Sequence, residues 1–160
     1  MRYITSQDTG KYPIAILSTR LDRNEMIKTY LTPDGLSMED FIFLQLHSAP
    51  GKNKTPAKEM KEFIEQELQS VLDTAGTQYI ICTDSDYFKV LTKEAKAEAN
   101  LGYICQSVWG EQKVIYVPNY RQVFYDPPVV RAKIKQGMDA LLDHIRGQYA
   151  EPGQGIIEFE

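Results

Sequence analysis

The fold is decided by residues 40–72, which read DFIFLQLHSAPGKNKTPAKEMKEFIEQELQSVL. A short apolar run is followed by an Ala-Pro-Gly break and then by apolar residues at three- and four-residue steps. The run predicts a buried strand over 40–50, and the stepped pattern predicts an amphipathic helix. Thr55 is the expected N-cap of this helix, Pro56 its first residue and Gly76 its stop.

The same alternation of strand and helix patterns runs through most of the chain. Further strands are expected at 12–18, 78–83 and 112–118. A short helix capped by Asp84 or Ser85 follows the third strand, and a long helix is expected from Asp126 to Gly147. This order predicts a three-layer α/β/α fold with a central four-stranded, mainly parallel sheet and right-handed crossovers. We expect residues 1–149 to form a single domain and residues 150–160 to be a C-terminal tail or linker.

The composition is that of one globular domain. At 160 residues, with 42% hydrophobic and 25% charged side chains, the chain can bury a core, which excludes a disordered or collagen-like protein. Its longest apolar runs are far shorter than the ~20 residues of a membrane span. The N-terminus has no apolar signal core. We therefore expect a cytoplasmic protein with no membrane partner.

The charge balance argues against a global attraction to nucleic acid. Lys and Arg number 18 and Asp and Glu 22, so the net charge is −4 and any polyanion site must be a local patch. Ligands of open α/β sheets bind beyond the carboxyl ends of the strands, and cations are concentrated in the loops expected there. The residues expected to contact nucleic acid at this rim are Arg20, Arg23, Lys52, Asn53, Lys54, Asn119, Tyr120 and Arg121, with Lys58 nearby.

Aromatic residues near the same rim have two open interpretations. They can stack on unpaired bases, or they can belong to the core while the cations form a solvated rim. The residues concerned are Tyr87, Trp109, Tyr116, Tyr120, Phe124 and Tyr125.

Few residues suggest catalysis. The chain has no glycine-rich phosphate loop and two histidines. His47 follows a strand and is either a ligand or general base, or a hydrogen-bonded structural residue, and His144 is expected to face solvent. Asp84 and Asp86 could hold a metal as paired carboxylates, although helix capping explains at least one of them more simply.

The two cysteines, Cys82 and Cys105, are too few for a disulfide scaffold, an iron–sulfur cluster or a four-thiolate zinc site. Both occur in apolar runs, which is typical of buried reduced thiols. We therefore expect no metal and no cofactor.

Three segments, 40–72, 77–95 and 113–145, resemble the uracil-DNA glycosylase superfamily of the iron–sulfur (family 4) type in their order and spacing. In that family a strand leads into a loop similar to Pro-Gly-Asn-Arg-x-Pro and then a helix. The matching loop positions here are Pro50, Gly51, Asn53, Lys54 and Pro56. The resemblance covers roughly residues 12–147 and implies an α/β fold with a DNA-facing rim.

The departures from that family concern its chemistry. Residues 18–22 replace the family's Gly-Glu-Ala-Pro-Gly loop, Gln45 stands in place of the uracil-reading Asn, and Val117 in place of the His of the His-Pro-Ser loop. The cluster cysteines are absent as well. Because Val117 cannot stabilise a leaving uracil anion, the resemblance implies a domain with no catalytic residues. If the protein were active, Gln45, Asp22 and Glu25 would be the candidates.

The chain resembles most the degenerate glycosylase-like N-terminal region of some bacteriophage family A DNA polymerases. This implies a non-catalytic module of phage DNA replication in the host cytoplasm, part of or accessory to a DNA polymerase (a nucleotidyltransferase). Its partners would be DNA, the polymerase and exonuclease domains, or another replication protein. One alternative is a divergent active uracil-DNA glycosylase in which Gln45 reads the base and Asp22, Glu25 or Asp84 places water. Another is a regulatory protein that binds a partner through the aromatic rim or mimics DNA with an acidic face.

Overall fold

The computed structural model describes residues 1–5, 11–31, 37–51 and 53–148. Lys52 and the expected tail at 150–160 lie outside these described residues. In the described part of the chain, six strands form one sheet. They are β1 (Tyr3–Thr5), β2 (Ile14–Ser18), β3 (Phe41–Gln45), β4 (Tyr79–Cys82), β5 (Cys105–Gln106) and β6 (Lys113–Tyr116).

Helices cover both faces of this sheet. The α-helices are α1 (Arg23–Tyr30), α2 (Ala57–Phe63), α3 (Gln69–Thr74), α4 (Ser85–Thr92) and α5 (Pro127–Gln148). A π-helical turn at Ile64–Leu68 joins α2 to α3, so the expected helix after β3 is one continuous helical segment. It ends as expected at Gly76, whose φ of +70° is the left-handed conformation that favours glycine. Short 3₁₀ turns occur at Met38–Asp40, Glu98–Asn100 and Tyr120–Phe124.

The strand order is β1-β3-β2-β4-β6-β5. The four expected strands are the central ones, β3-β2-β4-β6, and all of their pairings are parallel. The expected three-layer α/β fold is therefore confirmed, but the sheet is wider than expected. The additional strands β1 and β5 pair antiparallel at the two edges. They have three and two residues, which is too short for a recognisable sequence period.

The core has two layers, one on each face of the sheet. Successive residues of β2 point to opposite faces, and both faces are buried, as in a central parallel strand. Leu17 belongs to the layer beneath α2, α3 and α4, which includes Ile64. Ile16 belongs to the layer beneath α1 and α5, which includes Met26 and Met138. The five residues Ile14–Ser18 are all buried.

Two helix-end predictions differ from the structure. Thr55 does not cap α2, because its Oγ1 accepts the Ala49 N–H at 3.1 Å and so closes the preceding loop. Pro56 occupies the N-cap position instead, and its side chain makes no capping bond. At the other end of the chain, α5 continues through Gly147 by one residue. A helix can pass through a glycine at modest cost when nothing else stops it.

A third expectation, that His144 on α5 faces solvent, is wrong. His144 does not simply face solvent: it is half-buried, and its ring packs edge-to-face on Tyr79 with the centroids 5.7 Å apart. Nearby, α5 approaches the end of β6 closely at Gly137. A Cβ atom at that position would lie 2.2 Å from Cγ1 of Val117, so the glycine makes room for the buried valine.

Candidate nucleic-acid interface

The chain reverses its direction of winding between β2 and β4. After β2 it moves to β3 on one side, and it then crosses to β4 and β6 on the other side. Such a reversal leaves a crevice beyond the carboxyl ends of the two strands, where open α/β sheets bind their ligands. In this protein the crevice lies between the loops that follow Ser18 and Cys82.

Asn119 fastens three strand ends together at the crevice. Its Nδ2 donates to Oγ of Ser18 at 2.9 Å and to Oγ1 of Thr83 at 3.0 Å, and its Oδ1 accepts the Arg121 N–H at 3.0 Å. Oγ of Ser18 donates onward to the Arg20 carbonyl at 2.7 Å. The amide of Asn119 is thus engaged on both sides. This expected nucleic-acid contact is a positioning residue for the loops around it.

A small cavity of about 180 Å³ lies between the loops after β2, β3 and β4. Arg20, Asn53 and Lys54, all expected as nucleic-acid contacts, line it together with Asp84 and Asp86. The three expected contacts are exposed. The structure thus brings these three residues to one cavity, beside the two carboxylates that the sequence pattern had singled out as a possible metal pair.

A larger cavity of about 490 Å³ lies next to the first and shares Thr19 and Asp84 with it. Arg121, Phe124 and Tyr125 line its outer side. The two aromatic side chains are 77% and 88% exposed, far more than a core residue would be. This wall combines a cation with two open ring faces.

The other four aromatic candidates are packed in or against the core and do not form a stacking surface. Buried or half-buried rings are those of Tyr87, Trp109, Tyr116 and Tyr120. The Tyr120 hydroxyl donates to the Arg20 carbonyl at 3.2 Å, and Trp109 Nε1 donates to the Val90 carbonyl at 3.0 Å. Tyr120 therefore offers no open ring for stacking. Of the six aromatic candidates, Phe124 and Tyr125 present exposed rings.

Asp84 is the N-cap of α4, as expected, and its Oδ1 accepts the Tyr87 N–H at 2.9 Å. Burial raises the pKa of Asp84, and nearby Asp86 raises it further, while the Tyr87 N–H and the Lys54 ammonium oppose the shift. Asp86 forms ion pairs with Lys54 and Lys89, each at 3.5 Å. Both carboxylates thus have non-metal partners. Within the described ranges, no group of three or more His, Cys, Asp or Glu side chains could hold a metal ion.

The residues expected to act if the protein were a glycosylase do not converge. Gln45 Nε2 donates to the Thr19 carbonyl at 3.3 Å. Asp22 caps α1 by accepting the Glu25 N–H at 3.1 Å. The described residues that line the two cavities do not include Gln45, Asp22 or Glu25. Val117 is fully buried and cannot donate a hydrogen bond.

His47 is a hydrogen-bonded structural residue. Its Nε2 lies 3.3 Å from Oε1 of Glu59, its ring packs near Phe63, and its carbonyl accepts the Tyr87 hydroxyl at 2.6 Å. These contacts join the loop after β3 to α2 and α4.

The cysteines are both free. Cys82 is buried, as expected, and burial raises the pKa of its thiol far above the ordinary range, which keeps it protonated. Cys105 is half-buried on the edge strand β5, more accessible than expected.

The remaining cations expected at the rim are not among the described residues that line the two cavities. Arg23 and Lys58 are exposed in the first turns of α1 and α2, and Lys52 lies outside the described residues. Lys89 was missed by the sequence reasoning. Its spacing of three residues from Asp86 on α4 was the signal that could have found it.

The open sheet with helices on both faces and a polar crevice at the winding reversal defines a doubly wound α/β protein. No protein-family model matches the chain, and no curated protein sequence matches it. The described part of the chain contains no helix with the length and apolar character to cross a membrane.

Proposed function

We propose that this protein is a non-catalytic uracil-DNA glycosylase-like module that binds single-stranded DNA, as part of or accessory to a phage DNA polymerase. One observation carries the proposal: Phe124 and Tyr125 are exposed side by side on the wall of a cavity that also has Arg121. Aromatic rings that stack on bases, combined with cations that contact phosphates, are the usual means of binding single strands.

We propose a non-catalytic module because the side chains that would have to act in glycosidic cleavage are buried or already engaged in other bonds. Glycosidic cleavage needs a donor that stabilises the leaving uracil anion and a group that places water. Val117 is an apolar core residue at the position of the family's histidine. Asp22 is engaged as a helix cap, and Gln45 is bonded to the Thr19 carbonyl.

The test is binding of a fluorescein-labelled oligothymidylate, measured by anisotropy at low salt. Stacking contributes roughly 1–3 kcal/mol per base, so the double variant Phe124→Ala/Tyr125→Ala should weaken binding at least about tenfold. Tyr103→Ala removes another exposed ring, 68% accessible, that is not among the residues lining either cavity, and should leave binding unchanged. Arg121→Ala should reduce the slope of log affinity against log salt by about 0.7.

Equal affinities for the double variant and Tyr103→Ala would contradict the stacking role. If the wild-type protein did not bind single strands at low salt, DNA contact would be excluded. The exposed aromatic wall would then be proposed to dock the polymerase or exonuclease domains, or another replication protein.

Asp84 favours a second candidate, a divergent active glycosylase. Its carboxyl group lines both cavities, and burial raises its pKa above the ordinary value, a perturbation that is common at functional sites. An active enzyme would release uracil from a uracil-containing oligonucleotide, and Asp84→Asn, which keeps the helix cap, would abolish the release. No release at a large excess of protein would eliminate this candidate.

A further inference from the structure

Lys54 and Lys89 converge on one carboxylate oxygen of Asp86. Asp86 and Lys54 line the small cavity, and Lys89 adjoins it through its ion pair with Asp86. Each Nζ lies 3.5 Å from Oδ1 of Asp86, so the two ammonium groups are separated by no more than twice that distance. Lys54 belongs to the loop after β3, and Lys89 belongs to α4, so two different parts of the fold bring them to the same point. An oxygen held between two ammonium groups is in a position that suits a phosphate oxygen.

The lining of this cavity offers further donors. Arg20 and Asn53 contribute N–H groups. Thr55 also lines it; its Oγ1 accepts the Ala49 N–H, and its hydroxyl can donate in turn. The volume of about 180 Å³ accommodates a phosphate group but little more of a polynucleotide. Asp84 is the unfavourable neighbour, and burial raises the pKa of its carboxyl group, which favours the neutral form beside an anion.

We propose that the small cavity is a subsite for one phosphate group, and that Asp86 is its intramolecular competitor, holding Lys54 and Lys89 until a phosphate displaces it. That the phosphate belongs to a polynucleotide rests on the proposed function. The chemistry of the subsite applies to any phosphate group. The side chains of Asp86, Lys54 and Lys89 are 31%, 69% and 40% exposed. Ion pairs at this exposure are weak, so a phosphate oxygen that takes the position of Oδ1 of Asp86 can replace the carboxylate between the two lysines.

The decisive variant is Asp86→Asn, which keeps the size of the side chain and removes its charge. Its affinity for the labelled oligothymidylate at low salt should exceed that of the wild type by about threefold to tenfold, since two weak ion pairs no longer compete. Asp139→Asn is the matched control, because Asp139 pairs with Lys135 one turn away on α5 and its loss changes the net charge equally. Its affinity should stay within about twofold of the wild type. Adding Lys54→Ala to Asp86→Asn should cancel the gain.

A gain of the same size in Asp139→Asn would overturn the inference, because it would reflect net charge alone. A gain that survives Lys54→Ala would also overturn it. In either case oligonucleotide binding by the wild type would remain, so the proposed function would stand without the subsite.

A second experiment uses inorganic phosphate as the ligand and therefore tests the subsite independently of polynucleotide binding. In an NMR titration at constant ionic strength, with chloride as the balancing anion, the amide signals of Thr19 and Thr55 should shift. The shifts should be larger in Asp86→Asn than in Asp139→Asn. Shifts of this kind without any oligonucleotide binding would support the subsite while refuting the proposed function. Equal or absent shifts in the two variants would refute the subsite.

Discussion

Replacing Asn119 by alanine removes the side chain that fastens the strand ends at the crevice. The two hydrogen bonds that the Asn119 side-chain amide donates to Ser18 and Thr83 contribute about 1 kcal/mol each to the free energy of unfolding. The cap on the Arg121 N–H contributes roughly 1 kcal/mol more. We therefore expect the free energy of unfolding to fall by about 3 kcal/mol. Asn119→Asp keeps the acceptor for Arg121 but loses both donors, so about 2 kcal/mol should be lost.

Urea denaturation followed by circular dichroism measures these losses. With a slope of about 2 kcal/mol per molar urea, the midpoint of Asn119→Ala should fall by roughly 1.5 M. Asn100→Ala is the matched control, because the Asn100 amide donates one exposed hydrogen bond, to the Lys96 carbonyl at 2.8 Å, and accepts a weak one from Sγ of Cys105 at 3.7 Å. Its midpoint should fall by no more than about 0.5 M. The reasoning is refuted if the midpoints of Asn119→Ala and Asn100→Ala are the same.

Three further predictions concern packing, titration and thiol access. Gly137→Ala should destabilise the fold by about 1–3 kcal/mol, because its Cβ would overlap Val117, whereas Gly147→Ala, where the space is open, should cost nothing; equal melting temperatures would contradict this. Burial raises the pKa of Asp84 above its usual 3.8, so the stabilisation from this group is present below that pH and is lost as the pH rises through the folded-state pKa. The urea midpoint of Asp84→Asn relative to wild type should therefore rise between about pH 4 and pH 7, and a constant difference would oppose it. Cys82 should react with a thiol reagent only after urea unfolding, since its thiol is buried and protonated, and labelling of both cysteines in the native protein would disprove this.

The sequence was sufficient to predict the central part of the fold. The four parallel strands and the long helices have apolar patterns of helical or strand period, and these patterns are set by burial on one or two faces. β1 and β5 could not be found in this way, because pairing at an edge needs only a few backbone hydrogen bonds and leaves little trace in side-chain pattern. Thr55 was misplaced because the signal for a helix cap is also the signal for a loop hydrogen bond.

The sequence predicted which loops meet at the rim, but not how each side chain there is bonded. The carboxyl ends of parallel strands meet at one edge whatever the sequence of the loops, so the rim could be expected. The state of each side chain there depends on partners distant in the chain. Asn119 reaches Ser18 and Thr83, and Lys54 reaches Asp86, across separations that no local pattern records. Whether an aromatic residue such as Tyr120 is buried or exposed depends on the same tertiary contacts.

The bond from Asn119 to Ser18 joins residues 101 positions apart. The crevice therefore combines loops from the early and late parts of the chain. During synthesis, which proceeds from the N-terminus, the loop after β2 emerges long before its partner, and contacts of such long separation form slowly. A nascent chain that has not reached β6 and the turn after it has no crevice, so the crevice should form at the end of folding and not gradually.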